Sequence, residues 1–493
     1  DQQPAGQAPS PLGGGWGQDG FLRGALSQGA GDAPGWQPGA TASPDDPVAA
    51  YDILSAVPAP AATRGRRPHA RAWLAVASAV VLAVAGTSTS VVLAGTGGGG
   101  AGSPAAAVQD LVNALNKSDV IGMLDALDPG ERSALEPGLE DIFGQLKRLG
   151  VMSSTADLNA ITGVDISEQG LSISTDQLTP NVAAVTVSGG SNTEGLDPSQ
   201  LPLGSYFQHL ADQAMNSRSV TTSGPNRGST TLGTVRVDGG WYVSLGYSIA
   251  IDALRASGGS GAPPATGPLQ ATGASSPEGA VQALFNDASQ FDLSGLLADL
   301  DPGEMAALDA YAPDWLPNAQ AALDKARGEV SIQFGNLNLT TEPVDGGTLV
   351  TLGEGLTVTV KTQRTVLVYA NGCYTFSAGG TTTHRCAEDS AQLAQLKGFL
   401  PQAVQPIFAR LTTMKPDIGF VTVNDGGQWY VSPTRTYLEA VSAFLAELRP
   451  GDIQAVVNNA SGIGSGFEKY LQQQMRTALP GDQQAIGSLS SSF

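Results

Sequence analysis

The chain has 493 residues, enough for two or three domains, with 63 Gly, 31 Pro, only two Cys and a formal net charge of −20. Nearly all of that negative charge lies beyond residue 100, where no basic stripe opposes it, so a nucleic-acid partner and an anionic lipid surface are both disfavoured for that part. Glycine and proline are not spread evenly, and their clusters mark the boundaries of the segments that follow.

Residues 1–71 form a Gly/Pro/Gln/Ala tail that cannot bury enough apolar surface to offset the entropy of ordering, and it is read as disordered. Its one patterned piece is PDDPVAAYDILS, where Val48, Tyr51, Ile53 and Leu54 fit either a short partner-binding helix or a fluctuating turn. The tail ends in a basic cluster, Arg64, Arg66, Arg67 and Arg71 around His69, and no ionisable side chain occurs from Ala72 to Gln109. As a helix, residues 72–94 would span roughly 35 Å against a hydrocarbon core of about 30 Å. A single transmembrane helix is therefore expected. The arginines place the tail in the cytoplasm and residues 101–493 outside, at the cell membrane. A cleaved signal peptide is the rival reading, but the segment before the apolar run is very long for one.

After a Gly-rich spacer, 95–102, the chain repeats itself. SPAAAVQDLVNALNKSDVIGMLDALDPGERSAL starts at Ser103 and SPEGAVQALFNDASQFDLSGLLADLDPGEMAAL at Ser276, with identities held at one offset without a gap. This pattern is read as an internal duplication, with domains at 103–257 and 276–449 and a linker at 258–275 that lets them move. In both, apolar residues at i, i+3, i+4 and i+7 predict a first helix (Val108, Leu111, Val112, Leu115; Val281, Leu284, Phe285, Ala288), and a second stripe follows. Asp128-Pro129-Gly130-Glu131 and Asp301-Pro302-Gly303-Glu304 then supply an aspartate cap, a proline and a glutamate in the capping-box arrangement, predicting a third helix start rather than an acidic site.

Each copy next switches to a period of two. Strands are expected through LSIST, VAAVTVSGG and LGTVRVDGGWYVS, and through LNLTTE, TLVTLGEGLTVTVKT, TVLVYANGCYTF and IGFVTVNDGGQWYVS, each ending in an Asp-Gly-Gly hairpin and a closing helix. The copies differ in their inserts: a polar Ser/Thr-rich excursion around Ser217–Thr231 in the first, a cysteine hairpin and helical stretch in the second. The piece 450–493 is expected to be a weakly helical tail.

Cys373 and Cys386 flank a β-rich run with a Gly-Gly turn, so a hairpin would join them in a disulfide worth about 3 kcal/mol in an oxidising compartment. A redox or metal pair is disfavoured because the spacing is not CxxC and only His384 is near. His209 and His384 lie in non-equivalent inserts. No metalloprotease, nucleophile-elbow or phosphate-loop motif occurs, so no catalytic residue, metal or cofactor is expected. Trp241 and Trp429 are pocket candidates, although a large aromatic on a half-buried strand is commonly core.

Helices followed by a curved antiparallel sheet and a DGGWYVS strand resemble the cystatin/NTF2-like α+β fold. With the Pro-x-x-x-Val-x-x-Leu start and the Asp-Pro-Gly-Glu turn, they resemble the duplicated extracytoplasmic domains of uncharacterised single-pass membrane proteins of high-GC Gram-positive bacteria. That resemblance implies an anchored binding or sensory module with protein partners on either side. The alternatives it leaves open are a carrier of lipid or another apolar ligand and an NTF2-like enzyme, because the fold itself licenses no reaction.

Overall fold

The computed structural model describes residues 100–478, apart from residues 159–160, 216–217, 227, 328–330, 336, 354–355, 361–364, 371–372, 379–380, 387–390 and 414–418. All described residues belong to one compact unit, His69–Phe493. Among them no helix is long and apolar enough to cross a membrane. The physical reason is visible in the long helices, which carry charges along their length, such as Glu131, Arg132, Lys147 and Arg148 in Pro129–Arg148. The expected fold class and single-pass reading are corrected accordingly: the described residues are α+β and hold no membrane-spanning helix. The run 72–94, the flanking Arg64, Arg66, Arg67 and Arg71, and the rest of the tail lie outside the described residues.

In the first half, α1 (Pro104–Leu115) starts where the Ser103 hydroxyl accepts from the Ala106 amide at 3.2 Å and proline fixes the first turn. Its buried face is Ala107, Val108 and Val112. Asp119 caps α2 (Val120–Asp125) and Asp128 caps α3 (Pro129–Arg148). Seven strands follow: β1 (Val164–Gln169), β2 (Ser172–Thr179), β3 (Val182–Ser188), β4 (Ser191–Leu196), β5 (Val220–Pro225), β6 (Ser229–Val237) and β7 (Gly240–Ser244), with α4 (Ser205–Met215) between β4 and β5 and α5 (Leu245–Ala256) at the end.

The strand orders β2-β3-β6-β7 and β1-β4-β5 are two panels of one bent sheet. β1 runs into β2, β3 into β4 and β5 into β6, so three long antiparallel strands cross a single bend line. Gly190 stands on that line at φ 76°, where a Cβ would overlap the Gln169 carbonyl, so only glycine lets the sheet fold there. The Ser/Thr-rich stretch expected as an excursion is this third strand, with only 216–217 and 227 outside the described residues. α1 lies in the concavity, and α5 covers the opposite face through Val182, Ala184, Val235, Tyr247 and Ile251.

The second half repeats the order with α6 (Pro277–Gln290), α7 (Leu293–Ala298) and α8 (Ala306–Arg327), then β8 (Ile332–Gly335), β9 (Leu339–Val344), β10 (Gly347–Leu352), β11 (Leu356–Val360) and β12 (Thr365–Ala370). Here the third long strand is split. β12 pairs with β11, but its continuation along β10 is supplied by β15 (Gly419–Asp425), after β13 (Cys373–Ala378), β14 (Thr381–Cys386), α9 (Ala391–Phe399) and α10 (Gln405–Thr413) have been inserted. The panels are β16-β15-β10-β9, with β16 (Gln428–Val431), and β14-β13-β12-β11-β8. The closing helix is α11 (Pro433–Glu447). α12 (Asp452–Asn458) and α13 (Ala460–Ala478) follow, and α13 packs back on the insert through Tyr470 and Phe399. Both final hairpins turn on two residues with positive φ, Asp238-Gly239 and Gly426-Gly427, as a type I′ turn requires.

The halves meet reciprocally. α3 of the first packs on α11 of the second, with Gly138 against the Leu438 side chain. Arg148 reaches the end of that helix, donating to the carbonyls of Leu445, Ala446 and Leu448 at 2.7, 3.2 and 3.0 Å. α8 of the second packs on α5 of the first through Ala307, Ala310 and Tyr311. Corresponding elements exchanged across a junction are the pattern of a two-fold pairing, and the two equivalent glycines, Gly130 and Gly303, touch within it. Residues 258–275 are pinned rather than free: Tyr311 donates to the Gly261 carbonyl at 2.7 Å, Leu269 to Asp309 and Thr272 to Ala298, and Ala274 bridges Trp429.

Candidate functional site

The Asp-Pro-Gly-Glu motifs resolve as structural joints, with one departure from the capping box. Asp128 accepts from the Gly130 and Glu131 amides. Its own amide, which a capping-box glutamate would accept from, is already taken by the Val243 carbonyl at 2.7 Å. Glu131 therefore reaches across to the start of α5 and accepts from the Ser244 hydroxyl and the Leu245 and Gly246 amides at 2.6, 2.7 and 2.8 Å. Glu304 does the same for α11, from the Ser432 hydroxyl at 2.5 Å and the Thr434 amide at 2.7 Å. The first motif thus fixes two helix starts and the second fixes that of α11, and carboxylates meet helix N-termini where the dipole favours them. The second motif is followed by a turn, and regular helix resumes only at Ala306.

Burial around these joints raises several carboxyl groups. Asp128 and Asp301 are pushed up to about 6, chiefly by desolvation, against the opposing amide hydrogen bonds. Asp309 is 5 % exposed and desolvation pushes it to about 7; Asp299 reaches about 7 through burial and the neighbouring carboxyl of Asp287. Across the junction Arg435 donates to the carbonyls of Gly346 and Ser133 at 2.5 and 2.6 Å, and its guanidinium is held below its ordinary value by desolvation. Arg435 joins the two halves directly, whereas Asp299 meets Asp287 within the second half.

The two concave faces differ. In the first, Val112, Leu124, Leu127 and Trp241 are 8, 5, 7 and 8 % exposed and pack with Val108, Val185 and Val243. Trp241 is a core residue. The end of this face is closed by residues 149–163, whose Met152, Ala156, Leu158 and Ile161 pack on Val120 and Phe143. In the second half α8 leads to β8 with only residues 328–331 between, so the equivalent closure is missing from the chain's course. The counterparts Phe285, Leu297, Leu300 and Trp429 are all half-buried.

Those half-buried residues form an aromatic face. Phe285 of α6 meets Phe334 of β8 and Phe420 of β15 edge-on, at 4.9 and 5.8 Å between ring centroids. Trp429 lies on the same side of the sheet. The face continues along the inserted strands, because the register sets Phe334 opposite Val358, Val358 opposite Leu367, Leu367 opposite Phe376 and Phe376 opposite Thr383. Residues directly opposite share a face, so an apolar row runs from the concavity to Phe376, which is 42 % exposed. On the same face of the first half's panel the rows are mixed, the mostly polar Ile166, Glu194 and Thr222 beside the apolar Val164, Leu196 and Val220. The sequence singled out Trp241 and Trp429 together, and the structure separates them. Phe285, Phe334, Phe376 and Phe420 were not singled out, although Phe285 stands where the first copy has Val112, a size difference readable from the aligned repeats.

Cys373 and Cys386 are joined in a disulfide across β13 and β14. They lie on the other side of that panel from Phe376, three positions along each strand, together with Thr375 and His384. His209 is elsewhere, hydrogen-bonded to Gln213 on α4.

No protein-family model matches this sequence, and no curated protein matches it either. Among solved structures, an Ntf2 like protein involved in plasmid conjugation is similar over 60 % of this chain and 86 % of its own, at 11 % identity and a TM-score of 0.12. A likeness of that score decides neither fold nor function.

Proposed function

We propose that the chain is a binding protein rather than an enzyme, and that its second half takes an apolar ligand, such as an acyl chain, on the face of Phe285, Phe334, Phe420 and Trp429. The observation that carries this reading is the contrast in burial at equivalent positions: Val112, Leu127 and Trp241 are filled core, whereas Phe285, Leu300 and Trp429 remain half-exposed. A partly wet aromatic surface with an apolar row leading out to Phe376 offers a hydrophobic ligand area to cover at little reorganisation. The disulfide supports placement in an oxidising, extracytoplasmic compartment. The test is titration of the purified chain with a dansyl-labelled long-chain fatty acid. Saturable fluorescence enhancement, lost in Phe285→Ala and weakened in Phe376→Asp, is expected. A flat titration, or one unchanged by both substitutions, would refute the reading.

A further inference from the structure

The disulfide hairpin carries a second chemistry, independent of the apolar face. His384 stands on β14 two residues before Cys386, and alternation of the strand brings both to one side. Its Nε2 lies 3.3 Å from the Cys386 sulfur, and its Nδ1 lies 2.9 Å from the hydroxyl of Thr375, which is directly opposite on β13. All three ligating atoms of Cys373, His384 and Cys386 lie within 4.8 Å of one another. His384 is exposed, and Phe376 with its row is on the other side of the panel. In the tautomer that carries its proton on Nε2, the Thr375 hydroxyl donates to Nδ1 and the Nε2 proton is directed at the sulfur, which is the arrangement that steadies a departing thiolate.

We infer that Cys373–Cys386 is a thiol–disulfide exchange site with a fixed direction: an external dithiol attacks Cys373, and Cys386 leaves. In the first step the dithiol's thiolate bonds to the Cys373 sulfur, the Cys373–Cys386 bond breaks, and its electron pair goes to the Cys386 sulfur, which takes the Nε2 hydrogen bond of His384. In the second step the dithiol's other thiolate attacks its own sulfur in the mixed disulfide and releases the Cys373 thiolate. The dithiol is oxidised to a disulfide by two electrons and the hairpin is reduced by two. Exchange rates rise as the leaving thiol becomes a better thiolate, so the sulfur next to the imidazole is the one released. His384 and Thr375 are positioning residues, acting through the Cys386 sulfur.

The experiment uses the whole oxidised protein. A brief pulse of glutathione, quenched with acid and mapped by peptide mass spectrometry, should place the mixed disulfide on Cys373 and free Cys386. His384→Gln should slow reduction by dithiothreitol about tenfold and scramble the adduct between both cysteines. Thr375→Ser, which keeps the hydroxyl, should retain the wild-type preference while Thr375→Val loses it. Adducts shared equally between the cysteines in the wild type, or found on Cys386, would overturn the inference even if every variant failed to fold. An unchanged reduction rate in folded His384→Gln would also overturn it.

Discussion

The first and second halves share an order of helices and strands, yet the first concavity is lined by buried residues and the second by half-buried ones. Both begin with the same capped helix lying in the same bend of sheet, and Val108 and Val281 are equally buried at its centre. The difference arises at the margins. In the first half residues 149–163 fold under α2 and seal the end, whereas in the second the chain passes directly from α8 to β8 and spends its extra residues extending the sheet outward. A shared core pattern therefore secures the fold, and the segment between third helix and first strand is one place where the two halves diverge.

The largest expected effect tests this contrast in packing. Trp241→Ala should cost about 3–5 kcal/mol of unfolding free energy, as for a fully buried aromatic. Trp429→Ala, at the corresponding but half-buried position, should cost about 1–2 kcal/mol. Urea unfolding of both variants measures the difference, and equal costs would mean that the two faces are equally filled.

A second prediction concerns the junction that holds the halves together. Burial holds Asp128 and Asp301 near 6 and Asp299 and Asp309 near 7 in the folded protein, against an ordinary 3.8 for a solvated aspartate. Between those values the folded state binds more protons than the unfolded one. Stability therefore falls as pH rises from about 4 to about 7, and is not regained above that range. Asp309→Asn removes its share of the penalty and should stabilise the protein at about pH 8 by on the order of 1–3 kcal/mol, with little effect near pH 4. Unfolding midpoints at the two pH values check the sign. A loss of stability at the higher pH would show that the Asp309 carboxylate is favourably partnered.

The smallest expected effect falls on the outer end of the apolar row. Phe376→Asp should change stability by no more than about 0.5 kcal/mol, because the side chain is exposed. It should nevertheless weaken binding of an apolar probe, whereas a charge placed on the already polar row of the first half, Thr222→Asp, should not.

Much of the architecture was legible in sequence because it rests on local rules. Ser103 and Ser276, Asp119 and Asp292, and the first Asp-Pro-Gly motif cap helices through their own neighbouring amides, and the second motif makes the same local bond at a turn. The stripe around Val108 shows its buried face directly. What stayed hidden depends on distant partners. Glu131 reads as a capping-box residue until the Val243 carbonyl is seen to occupy the Asp128 amide. The Ser/Thr-rich residues of β5 and β6 have no alternating apolar pattern, yet they complete the first bent sheet through the ladder to β3 and β4. The different burial of Trp241 and Trp429 depends on the partners each meets in its own concavity, and residues 149–163, which pack on Val120 and Phe143 in the first half alone, have no periodicity to read. The pairing of Cys373 with Cys386 follows from the hairpin, but the approach of His384 to one sulfur depends on strand register that spacing alone leaves open.

The central claim is that the concavity of the second half, and not that of the first, takes an apolar ligand. The most direct measurement is photolabelling of the purified chain with a diazirine-bearing fatty acid, followed by peptide mapping. Adducts concentrated on the peptides holding Phe285, Phe334, Phe376 and Phe420, with none around Val112, Val185 and Trp241, are the predicted result. Labels distributed equally over both halves, or confined to the first, would contradict it.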